Sequence, residues 1–110
     1  MVAVRERKLV EYVDPAGRNL FREWIASLKD LRARVRIDAR LLRVRLGNLG
    51  DAKSVGDGVY ELRVSFGPGY RVYFGVDGPR IVVLLLGGDK SSQRSDIKRA
   101  KELWASYRTR

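Results

Sequence analysis

Five polar side chains alternate with apolar ones along two segments that the turn-forming sequence of residues 67–69 separates. They are Glu61, Arg63, Ser65, Arg71 and Tyr73. Guanidinium groups bind phosphate oxygens through paired hydrogen bonds, and they stabilise the charge that develops on a reacting phosphate. A carboxylate or a phenol beside them can transfer a proton. The combination predicts a polar, cationic patch whose residue types suit binding to a phosphate group.

The alternation predicts a β-hairpin, because successive side chains of a strand point to opposite faces of a sheet. Its other face is apolar and comprises Tyr60, Leu62, Val64, Phe66, Tyr70, Val72, Phe74 and Val76. With a loop of residues 67–69, Phe66 is expected to pair with Tyr70. Ser65 then lies opposite Arg71, and Arg63 lies opposite Tyr73. The sequence therefore predicts a hairpin with one apolar face and one cationic face.

A third strand and a final helix follow a second turn at residues 77–79. Ile81 to Leu86 is apolar at every position, which predicts a strand that is covered on both faces. Gly87 and Gly88 are expected to let the chain turn sharply. The last helix is predicted to begin between residues 89 and 93. Its apolar face comprises Ile97, Ala100, Leu103, Trp104 and Tyr107.

The segment before the hairpin predicts one strand, two helices and a loop. The strand spans residues 8–13, and Asp14 and Pro15 suit the N-cap and first position of the helix after it. That helix carries an apolar face of Leu20, Phe21, Trp24, Ile25 and Leu28. Trp24 is interpreted as a core residue rather than a base-stacking one. Residues 47–57, rich in Gly, Asn and Asp, predict a loop.

The second helix, residues 31–46, is predicted to bury two sides and expose a third. One apolar side comprises Leu28, Leu31, Val35, Ala39, Leu42 and Leu46, and the other Ile37, Leu41 and Val44. The third side is a row of arginines, here called the arginine ridge, that comprises Arg32, Arg36, Arg40 and Arg43. The ridge is either a solvated surface or a binding surface.

The composition limits the classes of function. The 110 residues fit one domain, and 23 Lys and Arg against 13 Asp and Glu give a net charge of +10. This excess favours nucleic acid, an acidic protein or an anionic membrane surface. No cysteine or histidine occurs, so no metal and no cofactor are expected. Residues 1–8 lack the apolar core of a signal peptide, and no segment is long enough to span a bilayer. We therefore expect a cytoplasmic protein.

The order of these elements carries a family resemblance when it is combined with three local motifs. The motifs are Tyr60-Glu61-Leu62, Gly69-Tyr70-Arg71 and Gly88-Asp89-Lys90. Over nearly its whole length the chain resembles the RelE/ParE toxin superfamily, and more narrowly the phage-derived, HigB-like addiction-module killer proteins. The resemblance implies an α+β fold of order β-α-α-β-β-β-α, in which an antiparallel meander sheet packs with an αα-hairpin and a C-terminal helix.

The same resemblance implies the toxin of a bacterial type II toxin–antitoxin pair. The expected partners are the ribosome, mRNA and a cognate antitoxin, a helix-turn-helix protein from an adjacent gene. The expected activity is that of a ribosome-dependent mRNA endonuclease. RNA supplies its own nucleophile, the 2′-hydroxyl, so the protein has to orient the backbone and stabilise the phosphorane. A gyrase-directed toxin of the ParE type and a non-toxic basic nucleic-acid-binding module stay open as alternatives.

The family also suggests roles for individual residues. Arg71 matches the phosphate-contacting arginine of RelE-type enzymes, and Arg63 matches a basic position on the preceding strand. The chain differs at Glu61, Ile97 and Ser91, where RelE has a basic residue, the catalytic tyrosine and an arginine. The expected catalytic set is Arg71, Arg63, Glu61, Tyr73 and Lys90. The expected RNA-binding set is Arg94, Gln93, Lys98 and the arginine ridge.

Overall fold

The computed structural model describes residues 6–110, which form a five-stranded sheet with helices on both faces. The elements are β1 (Lys8–Glu11), α1 (Leu20–Ser27), α2 (Leu31–Arg45), β2 (Ala52–Gly56), β3 (Val59–Val64), β4 (Tyr70–Asp77), β5 (Ile81–Asp89), a short 3₁₀ helix (Lys90–Ser92) and α3 (Gln93–Arg108). Residues 1–5, which belong to the stretch considered for a signal peptide, lie outside the described residues. Within residues 6–110, no helix has the length and apolar character needed to cross a bilayer.

The strand order β1-β5-β4-β3-β2 confirms the α+β fold and the antiparallel meander. Strands β2 to β5 pair antiparallel in succession, whereas β1 pairs with β5 in parallel. The prediction of a loop over residues 47–57 holds for residues 47–51 but was wrong for residues 52–56, which form β2 and pair with β3. Asp57 and Gly58 join the two strands with φ of 55° and 82°. An Asp-Gly turn with both φ positive is the tight hairpin connection that suits the twist of paired strands.

The register of the β3–β4 hairpin differs from the predicted one by two residues. Val64 pairs with Tyr70, and Arg63 pairs with Arg71 rather than with Tyr73. The loop is longer than predicted because the Gly69 amide donates to the Phe66 carbonyl at 3.0 Å and closes a turn before the strands pair. A shift by an even number of residues leaves every side chain on its predicted face. The apolar and polar faces are therefore as expected.

The first helix begins later than the sequence predicts. The Asp14 side chain accepts from the Arg18 amide at 2.8 Å in a local turn, and Gly17 at φ 82° keeps that turn from continuing as a helix. Asn19 is the true N-cap of α1 and accepts from the Arg22 amide at 2.9 Å. The αα-hairpin itself forms as predicted, since Asp30 caps α2.

Separate cores lie on the two faces of the sheet. Helices α1 and α2 cover one face, where Phe21 and Ile37 pack on Leu62, Val72 and Phe74, with Trp24 half-buried beside them. Helix α3 covers the other face, where Leu103 and Trp104 pack on Tyr73 and Leu85. Strand β5 is buried on both faces, as its apolar sequence predicts.

The two glycines near the end of β5 do not form the sharp turn that the sequence suggested, because both lie within the strand. A Cβ at Gly87 would lie 2.1 Å from the Trp24 ring, and one at Gly88 would lie 1.9 Å from Asp96 Oδ2. Such distances are shorter than any van der Waals contact. The glycines therefore let one side chain of α1 and one of α3 reach the backbone of β5 from opposite faces.

Helix α2 buries one side rather than the predicted two. Its buried residues are Ala33, Ile37, Leu41 and Val44. The other apolar side faces solvent, with exposures of 68% for Leu31, 66% for Val35, 47% for Leu42 and 49% for Leu46. The sequence pattern was ambiguous because the two apolar sides are opposite each other on the helix, and a single sheet can cover only one of them.

Candidate functional site

The polar face of β3 and β4 is organised around the carboxylate of Glu61, which is fully buried. Its Oε1 accepts a hydrogen bond from Arg63 Nε at 3.1 Å. Its Oε2 accepts from Tyr73 Oη at 3.1 Å and from Gln93 Nε2 at 2.8 Å. Arg71 Nε lies 3.5 Å from the same oxygen. The face that the sequence predicts to be polar and cationic is therefore closed at Glu61, because the first turn of α3 lies over it.

The strand register explains why a carboxylate belongs at this position. Arg63 and Arg71 are directly opposite each other on the antiparallel pair, and like charges in that arrangement repel. Glu61 and Tyr73 form the next pair on the same face. One carboxylate therefore lies within reach of both guanidinium groups and offsets their repulsion.

Helix α3 supplies the remaining hydrogen-bond donor to the Glu61 carboxylate. The Asp89 side chain accepts from the Ser91 amide at 2.8 Å and starts the 3₁₀ helix that precedes α3. This cap fixes the point at which the helix begins, so that Gln93, its first residue, is placed over Glu61.

The electrostatics of the cluster keep both buried groups in one protonation state. Burial raises the pKa of Glu61, but hydrogen bonds from Gln93, Arg63 and Tyr73 and the charge of Arg71 together hold that pKa below its ordinary value. Burial and the neighbouring Glu61 carboxylate raise the pKa of Tyr73 well above its ordinary value. Near neutral pH Glu61 is therefore ionised and Tyr73 is protonated.

The groups that remain open to a ligand lie on either side of this buried centre. The Arg63 side chain is 38% exposed and that of Arg71 is 11% exposed. Arg71 is anchored further by a hydrogen bond from Nη1 to the Gly69 carbonyl at 3.0 Å. Lys90 and Arg94 are exposed at the start of α3. The accessible surface of the site is therefore cationic.

Asp96 is a residue at the site that the sequence analysis did not identify. Its Oδ2 accepts from Ser92 Oγ at 2.5 Å and lies against Gly88, the strand partner of Arg71. Burial raises the pKa of Asp96 and outweighs the hydrogen bond from Ser92, which lowers it. The signal in the sequence was Gly88, whose missing side chain makes room for the carboxylate. Among residues 6–110, no three acidic side chains gather where a metal ion would bind.

We expect Asp96→Asn to stabilise the protein relative to wild type as the pH rises. A carboxyl group whose pKa is raised by folding favours the native state while it is protonated, and that contribution is lost above its unfolded value of 3.8. Asparagine keeps the acceptor for Ser92 but has no proton to lose. Urea denaturation at acidic and at neutral pH measures the difference. Equal changes at both pH values, or the same trend for the exposed control Glu102→Gln, would contradict the assignment.

The predicted RNA-binding residues do not form one surface with this site. Gln93 belongs to the cluster, and Lys98 is exposed further along α3. The arginine ridge lies on α2, which covers the opposite face of the sheet. Arg40 is not the free surface residue that was predicted, because it is half-buried and its guanidinium lies against Gly50. Its Nη2 donates to the Leu49 carbonyl at 3.1 Å.

The protein has a meander sheet, with an αα-hairpin on one face and an arginine cluster under a helix on the other. This arrangement places it in the class of RelE-like α+β proteins. Residues 23–105 match the family described as Phage derived protein Gp49-like (DUF891). The chain belongs to this family, which is related to the RelE-like toxins. A Haemophilus influenzae protein described as uncharacterized is 53% identical over 83 residues, which cover 76% of this chain and 84% of that protein. The family match over residues 23–105 includes the whole arginine cluster, which comprises Glu61, Arg63, Arg71, Tyr73 and Gln93.

Proposed function

We propose that the chain is the toxin of a type II toxin–antitoxin pair, of the HigB-like kind, and that it cleaves mRNA on the ribosome. The observation that carries the proposal is the pairing of Arg63 with Arg71 across β3 and β4, with one buried carboxylate orienting both. The guanidinium group of Arg63 is accessible and that of Arg71 is mostly buried beside it, and a pair so oriented suits the non-bridging oxygens of one phosphate. Membership of a family related to toxins supports the same function.

In the proposed reaction the 2′-hydroxyl oxygen of RNA attacks the adjacent phosphorus and the bond to the 5′-oxygen breaks. The products are a 2′,3′-cyclic phosphate and a 5′-hydroxyl end. The charge on the phosphorane rises during attack, so Arg63 and Arg71 stabilise the transition state more than the substrate. Glu61 acts as a positioning residue, since its oxygens already accept from three side chains.

The proton steps of this reaction have to use other groups. One proton leaves the 2′-hydroxyl and one is added to the departing 5′-oxygen. Glu61 and Tyr73 are both fully buried and hydrogen-bonded to each other, which removes them from contact with substrate. Lys90 and Asp96 at the start of α3, and groups of the ribosomal RNA, are the remaining candidates. Arg94 and Lys98 contribute dispersed positive charge, which favours binding to an RNA backbone.

Toeprinting of an mRNA on purified ribosomes tests the proposal when it is run beside a gyrase supercoiling assay. We expect new 5′ ends, read as primer-extension stops within ribosome-bound mRNA, and no change in supercoiling. Inhibited supercoiling with intact mRNA would assign the chain to the gyrase-directed toxins. An absence of both effects, together with RNA binding, would leave a basic nucleic-acid-binding module.

A further inference from the structure

Helix α2 carries a row of exposed aliphatic side chains along its outer side, here called the apolar stripe. It comprises Leu31, Val35, Leu42 and Leu46. Their spacing of four, seven and four residues keeps them on one line of the helix. Single exposed aliphatic residues are ordinary on a protein surface, but an aligned row of four indicates a surface that is covered by a partner.

Arginines flank the apolar stripe on both sides. The helical period places Arg32, Arg36 and Arg43 along one side of it, and Arg34, Asp38 and Arg45 along the other. Asp38 is the only acidic residue of α2. The surface therefore has an apolar centre, a strongly cationic border on the side of Arg36 and Arg43, and a weaker one on the side of Asp38. Its complement has an apolar centre and acidic side chains along the border that meets Arg36 and Arg43.

A groove at the N-terminal end of the apolar stripe gives this surface depth. It encloses about 390 Å³ and is lined by Leu31, Arg32, Val35, Arg36 and Phe66. The Arg36 guanidinium lies over the Phe66 ring with Cζ 4.9 Å from its centroid, and Arg32 lies over the same ring at 5.7 Å. Stacking on the aromatic ring holds both cations at the rim. Arg32 already donates to the Asp30 carboxylate at 3.3 Å, so Arg36 is the cation that remains for a partner carboxylate.

We propose that the apolar stripe binds an amphipathic helix of a partner protein, with the partner's aliphatic side chains on the stripe and its acidic side chains against the flanking arginines. If the proposed function is correct, this helix belongs to the antitoxin. An RNA backbone does not fit, because phosphates leave the aliphatic side chains in water. A second copy does not fit either, because two α2 helices would place arginine rows of a +10 chain against each other.

This surface and the arginine cluster lie on opposite faces of the sheet, since α2 covers one face and Glu61 lies under α3 on the other. A helix bound to α2 therefore leaves Arg63 and Arg71 uncovered. A partner on this surface can therefore bind without contacting the reacting groups.

Two designed helical peptides test the proposal with the purified chain. Both carry one row of leucines, which glutamates flank in the first peptide and lysines flank in the second. We expect the glutamate peptide to bind and the lysine peptide not to bind, as measured by titration calorimetry. The double variant Val35→Glu with Leu42→Glu should weaken binding of the glutamate peptide by about tenfold or more, because it places unpaired acids in the apolar interface. Val13→Glu is the matched control, because Val13 is 54% exposed but lies outside the stripe.

Charge reversal provides the second arm. The double variant Arg36→Glu with Arg43→Glu should no longer bind the glutamate peptide and should bind the lysine peptide instead. Loss of both peptides with the fold intact would overturn the charge complementarity, and failure of the wild type to bind the glutamate peptide would overturn the proposal. Sedimentation equilibrium tests the other occupant, since a dimer of the wild type that Val35→Glu with Leu42→Glu dissociates would assign the surface to a second copy.

The outcome is separable from that of the proposed function. Peptide binding needs no ribosome and no RNA cleavage, so a chain without nuclease activity can still bind the peptide. Conversely, toeprinting with the Val35→Glu and Leu42→Glu variant reports the reaction alone. If this variant cleaves mRNA but does not bind the peptide, the two proposals are shown to be independent of each other.

Discussion

Arg71→Ala is expected to lose about a hundredfold in the rate of mRNA cleavage, equivalent to about 3 kcal/mol of transition-state stabilisation. The substitution removes a guanidinium that the structure holds between Glu61 and the Gly69 carbonyl. Toeprinting rates on ribosomes, and growth inhibition on induced expression, measure the effect. Folding should survive, because the change also relieves the repulsion between Arg71 and Arg63 while leaving Arg63 to balance the carboxylate.

Arg80→Ala is the matched control for this variant. Arg80 is equally charged and exposed in the turn between β4 and β5, away from the cluster, so its removal should leave the rate unchanged. The cleavage rate of Arg71→Lys should lie between that of Arg71→Ala and that of wild type, because lysine keeps the charge but cannot form paired hydrogen bonds. Undiminished cleavage by a folded Arg71→Ala protein would remove the cluster from the mechanism.

Glu61→Ala is expected to destabilise the protein by about 3 to 5 kcal/mol, which is the effect of leaving a buried charge without its partner. The value should lie near the lower end, because Arg63 reaches solvent and is screened there. The two arginines would repel without a counter-ion, and the hydroxyl of Tyr73 would be buried with no acceptor. Urea denaturation followed by circular dichroism measures the loss.

Glu61→Gln separates the charge from the volume of the side chain. Glutamine fills the same space but supplies one acceptor oxygen, so it should still destabilise, although by less than alanine. Glu102→Ala is the control, since Glu102 is an exposed glutamate on α3 and its loss should have no measurable effect. A Glu61→Ala protein as stable as wild type would mean that the carboxylate is not the centre of the cluster.

The role of Glu61 shows where sequence reasoning stops. Alternation placed Glu61 on the polar face, and that placement is confirmed, but polarity alone suggested that the face meets solvent. The structure instead covers it with Gln93, which lies 32 residues later in the chain. A contact of such separation leaves no periodic signal, so an exposed strand face and a satisfied buried carboxylate give the same local pattern.

Much of the fold was predictable because its signals are local. The alternating strands β3 and β4 and the uniformly apolar β5 were confirmed. The β2 strand was missed because only two of its residues, Ala52 and Val55, are partly buried. The two sides of α2 were misassigned for a different reason, since amphipathic spacing identifies an apolar line but does not say whether the chain itself covers it.

The two neighbouring glycines of β5 let the helices on both faces of the sheet reach the same stretch of backbone. Trp24 lies against Gly87 from the α1 side, and Asp96 lies against Gly88 from the α3 side. The αα-hairpin and α3 therefore contact adjacent residues of one strand, and Gly88 is the strand partner of Arg71. The packing of the helical face and the spacing of the arginine cluster thus depend on the same short stretch of backbone.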